Sequence, residues 1–161
     1  MIKKFNFLFI TLFKVGKLKF APGTFASLLT CIFFLLLSHI VDITTILLIT
    51  LIIFSYSFFA INNSVDSFDD NDPQEIVIDE VVGQLLPLLA IPIYETLYPA
   101  PTIFYCVFSF FLFRLFDIWK PFPISYIDDN TDGALGIMLD DIVAGMFSTI
   151  FLIIVFFYIG G

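Results

Sequence analysis

Five carboxylates and two strong cations stand where the surrounding sequence has almost no charge: Asp79 and Glu80, then Arg114, Asp117 and Lys120, then Asp140 and Asp141. Each group lies at the end of an apolar run. An ionisable side chain within or at the edge of a membrane span is disfavoured unless it is partnered, so residues in such places point to function. The stretches Ile78-Asp79-Glu80-Val81-Val82-Gly83 and Leu139-Asp140-Asp141-Ile142-Val143-Ala144-Gly145 echo each other. In each, an acidic pair opens a helical stretch, and Asp79/Gly83 and Asp141/Gly145 are i, i+4 pairs on one face. A glycine beside the carboxylate lets a second helix approach closely. Arg114, Asp117 and Lys120 follow one another at i, i+3, so on a continuing helix they face the same way before Pro121 stops it. Five converging carboxylates would repel one another, and something positive must sit among them. Oxygen ligands without His or Cys select a hard ion, and Mg2+ takes a few carboxylates plus substrate phosphate while keeping some of its waters. Acids favoured by a helix dipole, or a simple ion-pair ladder, would explain any one of these groups but not their convergence.

The elements that carry these residues follow from the rest of the chain. Its 161 residues are 60% hydrophobic and 14% charged, with a mean hydropathy of +1.03. Soluble proteins are about half apolar and a quarter charged, so this chain folds in a bilayer. It is read as one domain, 1–161, with room for four or five spans of about 20 residues. Residues 1–20 mix Phe and Leu with Lys3, Lys4, Lys14, Lys17 and Lys19, five of the 7 basic residues. That is the composition of an interfacial helix beside anionic lipid. No small-residue cleavage site follows its apolar part, so it is not read as a signal peptide. Ala21-Pro22-Gly23-Thr24 makes a turn, with Thr24 as the expected N-cap of the next helix. Apolar runs 25–39 and 43–61, linked at Asp42, predict a transmembrane hairpin. Residues 62–75 turn acidic, with Asp66, Asp69, Asp70 and Asp72, and Asp72-Pro73 is a helix-start signal. Run 76–94 is apolar except for Asp79, Glu80 and Gln84, and its Pro87 and Pro92 leave spanning and re-entrant forms open. Run 102–116 ends in Arg114, and run 137–159 begins with Asp140 and Asp141. The expected fold is therefore all-α: a polytopic membrane protein of about five apolar helices with an interfacial N-terminal helix.

Lys and Arg favour the cytoplasmic side of short loops. With the N-terminus inside and five crossings, segments 62–75 and 117–136 are also inside and every basic residue is cytoplasmic. A re-entrant 76–94 would deliver Arg114 and Lys120 to the outside, so five crossings are expected. The same parity gathers the Pro22–Thr24 turn, residues 72–80, residues 114–120 and Asp140/Asp141 at one membrane face. The net charge of -8 would by itself argue against a phosphate-bearing partner or an anionic surface, so where the few basic residues stand matters more than their sum; nucleic acid is not an expected partner.

The blocks Ile76-Val77-Ile78-Asp79-Glu80-Val81-Val82-Gly83, Phe113-Arg114-Leu115-Phe116-Asp117-Ile118-Trp119-Lys120-Pro121-Phe122-Pro123-Ile124 and Gly136-Ile137-Met138-Leu139-Asp140-Asp141-Ile142-Val143-Ala144-Gly145 resemble, in order, the three signature blocks of the phosphatidylglycerophosphatase A family. The Ala21-Pro22-Gly23-Thr24 turn and Asp72-Pro73 fit its other landmarks. The resemblance runs from about residue 16 to the C-terminus. Gln84, where an apolar residue is expected, and the first 15 residues depart from it. It implies a Mg2+-dependent phosphatase of the bacterial inner membrane that hydrolyses the lipid phosphatidylglycerophosphate, with its active site facing the cytoplasm. Asp79, Asp117 and Asp141 are the expected Mg2+ ligands, with Glu80 and Asp140 as further ligands or the base that activates water. Arg114, Lys120 and Thr24 are the expected phosphate contacts.

Elimination agrees. Cys31 and Cys106 lie in apolar runs without the nearby Arg of a cysteine phosphatase loop, and read as buried hydrophobes. The single histidine, His39, lies at the far end of the first long run, which excludes a histidine-based mechanism. No glycine-rich nucleotide loop is present. Metal-assisted hydrolysis remains. The runner-up is a small cation-coupled transporter or channel, which would want its acids near mid-membrane.

Overall fold

In a computed structural model, residues 2–64 and 74–161 are described. The acidic positions Asp66, Asp69, Asp70 and Asp72, and the Asp72-Pro73 helix start, lie outside the described residues. The described chain is helical throughout: α1 (Ile2–Ile10), a 3-10 turn (Val15–Lys17), α2 (Pro22–Ser38), α3 (Ile43–Asn62), α4 (Ile78–Leu89), α5 (Ile91–Leu97), α6 (Thr102–Trp119), α7 (Ile124–Asn130) and α8 (Gly133–Gly160). Large apolar side chains such as Phe33, Leu36, Leu48, Ile52, Phe111 and Phe157 are exposed. They would make a soluble protein aggregate, but they suit contact with lipid tails. The molecule is an all-α membrane protein.

α1 rests on α3, where Asn6 Oδ1 accepts a 2.8 Å hydrogen bond from the Tyr56 hydroxyl and the rings of Phe9 and Tyr56 meet edge to face. The start of α2 corrects the expected cap. Ala21, in left-handed backbone, is the N-cap and Pro22 opens the helix, so Thr24 lies inside its first turn. Proline's fixed φ and missing N–H suit the first helical position and set the boundary there. α3 is capped by Asp42, whose carboxylate accepts from the Thr44 and Thr45 amides and, at 2.6 Å, from the Thr45 hydroxyl. These bonds hold the Asp42 carboxyl below the usual carboxylate range.

Run 76–94 becomes two helices, joined at Ala90. Pro92 cannot donate to Leu88 and its ring crowds that carbonyl, so the helix restarts. Together they still form a 20-residue apolar stretch, Ile78–Leu97, about 30 Å long and able to cross the bilayer core. It is the central element: 56% of its span is buried, against 22–28% for the other three long spans. α8 begins at Gly133, a turn before the expected 137, so Asp140 and Asp141 lie two turns inside the helix rather than at its opening. A helix dipole acts only within the first turn, so it cannot account for this pair. α7 was not anticipated within the polar segment.

The glycine echo is the α4–α8 crossing. A Cβ on Gly83 would come within 2.6 Å of the Asp141 carbonyl, and one on Gly145 would collide with the Gly83 carbonyl. Backbone therefore meets backbone beside the carboxylates. The four helical stretches long and apolar enough to cross a membrane, together with the shorter apolar α2, alternate in direction. Their far ends meet at a second cavity lined by Ser38, His39, Asp42, Ile91, Glu95 and Thr102. α8 reaches the same end, where Gly160 abuts the Leu97 carbonyl.

Candidate functional site

At the other end, one cavity of about 380 Å³ is lined by Thr24, Asp79, Glu80, Arg114, Asp117, Lys120, Asp140 and Asp141, every residue anticipated for the site. α4 presents Asp79 and Glu80 from its first turn, α6 presents Arg114 and Asp117 from its last turns, and α8 adds Asp140 and Asp141. Gly23 brings α2 into the same wall: a Cβ there would collide with Glu80 Oε1 and lie 3.3 Å from Arg114 Nη1. Gln74, Asp128, Thr131 and Asp132 also line the cavity and were missed. Asp128 comes from α7, which is too short to show a hydrophobic period; the acidic pair Asp128/Asp129 was its only signal.

Carboxylate oxygens of Asp79, Glu80 and Asp141 lie within 4.8 Å of one another. Among the described residues, Asp79 Oδ1 and Glu80 Oε2 are buried with no hydrogen-bond partner. A buried carboxylate oxygen without a partner is costly on an anion, and a third carboxylate close by adds repulsion. Oxygen-only donors with unused lone pairs suit a hard divalent cation such as Mg2+, and this is the observation on which the fit rests. Asp117 stands beside this trio, near Asp141. Its Oδ2 is 2.5 Å from Arg114 Nη1 in a charge contact on the cavity wall. Among the described residues, Arg114 Nε is buried and without a partner.

Lys120 ends α6 in left-handed backbone. Its ammonium bridges Asp128 Oδ1 at 2.7 Å and Asp140 Oδ2 at 2.8 Å, tying α7 to α8. Burial alone would lower its pKa, but hydrogen bonds to Asp128 and Asp140 outweigh this and raise it above the ordinary lysine value, so it stays cationic. With Oδ2 so anchored, Asp140 Oδ1 is buried and without a partner among the described residues. One turn below Glu80, Gln84 is fully buried and, among the described residues, neither of its amide atoms has a partner.

A family model described as Phosphatidylglycerophosphatase A matches residues 8–156. A Bacteroides thetaiotaomicron protein provisionally named phosphatidylinositol-3-phosphatase is 34% identical over 151 residues, 92% of this chain and 91% of that protein. Phosphatidylglycerophosphatase A of Haemophilus influenzae is 33% identical over 138 residues, 86% of this chain and 80% of its own. The Escherichia coli protein of the same name is 31% identical over 136 residues, 84% of this chain and 74% of its own. No solved structure matches the chain.

Proposed function

Because this chain belongs to the phosphatidylglycerophosphatase A family, we propose that it is a membrane phosphatase that hydrolyses phosphatidylglycerophosphate to phosphatidylglycerol and phosphate with the aid of Mg2+. The observation that carries the reading is the meeting, in one cavity, of an oxygen-only acidic trio and an arginine with a free buried donor. Asp79, Glu80 and Asp141 would hold the ion. Asp117 is the donor next in reach, at the expense of its contact with Arg114. Bound there, Mg2+ would neutralise the phosphate and stabilise the charge that develops on its oxygens.

The remaining roles fall to the chain's own groups. Arg114 offers Nε and Nη donors in a planar fork matched to two phosphate oxygens, and Asp117 holds that fork at the wall. Thr24, in the first turn of α2, adds a hydroxyl. Lys120 contributes less to the grip, because two carboxylates already share its ammonium. Asp140, tethered through Oδ2, presents Oδ1 as the acceptor for the proton of an attacking water. Asp79, Glu80 and Asp117 lie in the terminal turns of α4 and α6, and Asp140 and Asp141 join them from two turns inside α8 around one cavity at an end of the bundle, which speaks against a transporter with its acids at mid-membrane.

All seven basic residues belong to the cavity end of the bundle or to the N-terminal segment packed beside it. Under the positive-inside rule this distribution supports a cavity that faces the cytoplasm from the inner membrane. A headgroup reaches it at the interface with its acyl chains still in the bilayer.

A second substrate reading rests on the Bacteroides relative's name: phosphatidylinositol 3-phosphate carries the same kind of lipid phosphomonoester. Purified protein given each lipid separately, with EDTA and then with excess Mg2+, distinguishes the two. Phosphate should be released from phosphatidylglycerophosphate only with Mg2+. Release from the inositol lipid alone would favour the second reading, and release from neither would overturn both.

A further inference from the structure

We propose that the N-terminal segment carries a second lipid site, separate from the catalytic cavity, in which Lys3, Lys4 and Lys14 hold the headgroup of an anionic phospholipid. Residues 1–20 contain five lysines and no Asp or Glu, in a chain whose net charge is -8. On α1, Lys3 and Phe7 form one i, i+4 ridge and Lys4 and Leu8 the next, while Asn6 and Ile10 are buried on a neighbouring face. Lys14 lies beyond the end of this helix and would ordinarily point away from it. Instead Leu12, Phe13 and Lys14 all adopt left-handed backbone, with φ of 44, 52 and 76.

Side chains with a Cβ take up that conformation only when their surroundings hold them in it, and such outliers gather where a chain has a task to perform. Here the turn is held by the Phe13 amide on the Leu8 carbonyl at 2.7 Å and the Gly16 amide on the Thr11 carbonyl at 3.0 Å. The Lys14 amide adds a bond to the Thr11 hydroxyl at 3.2 Å. The chain thereby doubles back, and Lys14 joins Lys3, Lys4, Phe7 and Leu8 around one open groove of about 380 Å³. None of these five residues lines the catalytic cavity. Among the described residues, Lys3, Lys4 and Lys14 form no ion pair, whereas Lys17 is paired with Glu75 at 3.4 Å.

Three ammonium groups around an apolar floor complement a phosphodiester headgroup whose glycerol and first methylenes rest on Phe7 and Leu8. The apolar floor favours a lipid over free phosphate. Exposed Phe5, Phe13 and Phe20 seat the segment in the interface, where such lipids are found.

The test is electron spin resonance of spin-labelled phosphatidylserine and phosphatidylcholine with the full chain in phosphatidylcholine nanodiscs. The wild type should immobilise the anionic lipid preferentially, and salt should weaken that preference. Each of Lys3→Gln, Lys4→Gln and Lys14→Gln should reduce it about fivefold, on the order expected for one lysine near a lipid surface. Lys19→Gln, outside the groove, should leave it intact. Phosphatase activity of the triple variant in detergent should equal that of the wild type, which shows that it is folded. Equal losses from Lys19→Gln and Lys14→Gln would reduce the effect to diffuse attraction and overturn the site. Displacement of the labelled lipid by inorganic phosphate at constant ionic strength would also overturn it, as would a lysine effect that vanishes once Asp66, Asp69, Asp70 and Asp72 are changed to Asn.

Discussion

Among the individual residues, Asp141 and Arg114 separate the chemistry from the scaffold. Asp141 is almost fully buried and lies within 4.8 Å of the other two acids. Asp141→Asn keeps the shape but removes the charge that a cation needs. Steady-state assays in saturating Mg2+ should show kcat down roughly a hundredfold or more, the scale on which one electrostatic group at a reacting centre is worth that much. A variant with normal turnover would remove Asp141 from the donor set. Arg114→Lys retains the charge and the possibility of contact with Asp117 but loses the two parallel donors. Its kcat/KM should fall roughly tenfold to a hundredfold, the cost of one charge-assisted hydrogen bond. Unchanged kinetics would mean that the cavity reads Arg114 only as a point charge. The alternation of acids and bases along the chain was legible at this scale. Which oxygen met which nitrogen was not, because i, i+3 spacing equally permits Arg114 to pair with Asp117 and Lys120 to continue the ladder. Instead the left-handed turn at Lys120 sends its ammonium across to Asp128 and Asp140.

The secondary-structure elements hold the site open through one crossing. α4 and α8 touch backbone to backbone at Gly83 and Gly145, so Asp79 and Asp141 lie a turn from the closest approach. Gly145→Ala drives a methyl group into the Gly83 carbonyl. Overpacking of this kind costs about 1–3 kcal/mol, and the helices must part to relieve it. Both the melting temperature in detergent and the activity per folded molecule should therefore fall. Gly160→Ala supplies the comparison, because its Cβ would collide with the Leu97 carbonyl at the far end of the same helix. It should lower stability and leave the activity per folded molecule near wild type. Equal effects on activity would show that α8 transmits strain along its whole length. The apolar runs located these helices to within a few residues. Their breaks were less legible: Pro87 and Pro92 marked the segment, but the joint at Ala90 depends on how the restarted helix packs.

For the whole molecule, the alternating apolar helices place the acidic cavity at one end and the cavity lined by His39 and Asp42 at the other, as five crossings would. Labelling of single cysteines tests which side is which, after the buried Cys31 and Cys106 are replaced. A cysteine at Asn130, the end of α7, should react in intact cells only with permeant reagents. One at Gly161 should react with impermeant ones. Labelling of position 130 from outside would invert the proposed orientation, while equal labelling of both positions from outside would break the five-crossing alternation itself.

The sequence by itself determined the solvent, the approximate spans and the end at which the ionisable residues gather. Apolar length and the placement of charge are properties of the chain read linearly, and the bilayer enforces both. The all-α architecture and seven of the eight anticipated cavity residues were legible for that reason, while Thr24, which carries no charge, came with the turn at Ala21-Pro22-Gly23-Thr24, and the three ordered blocks pointed to the family. Only the tertiary structure decided how those eight residues divide. Asp79, Glu80 and Asp141 form the close trio, while Asp117 is engaged by Arg114. It also brought α7, and with it Asp128, to the wall, and it placed Asp140 and Asp141 two turns inside α8 rather than at its start. These outcomes depend on where one helix stops relative to its neighbour and which way each side chain turns at the crossing. Close packing between helices sets both, and residue spacing along one chain carries no record of it.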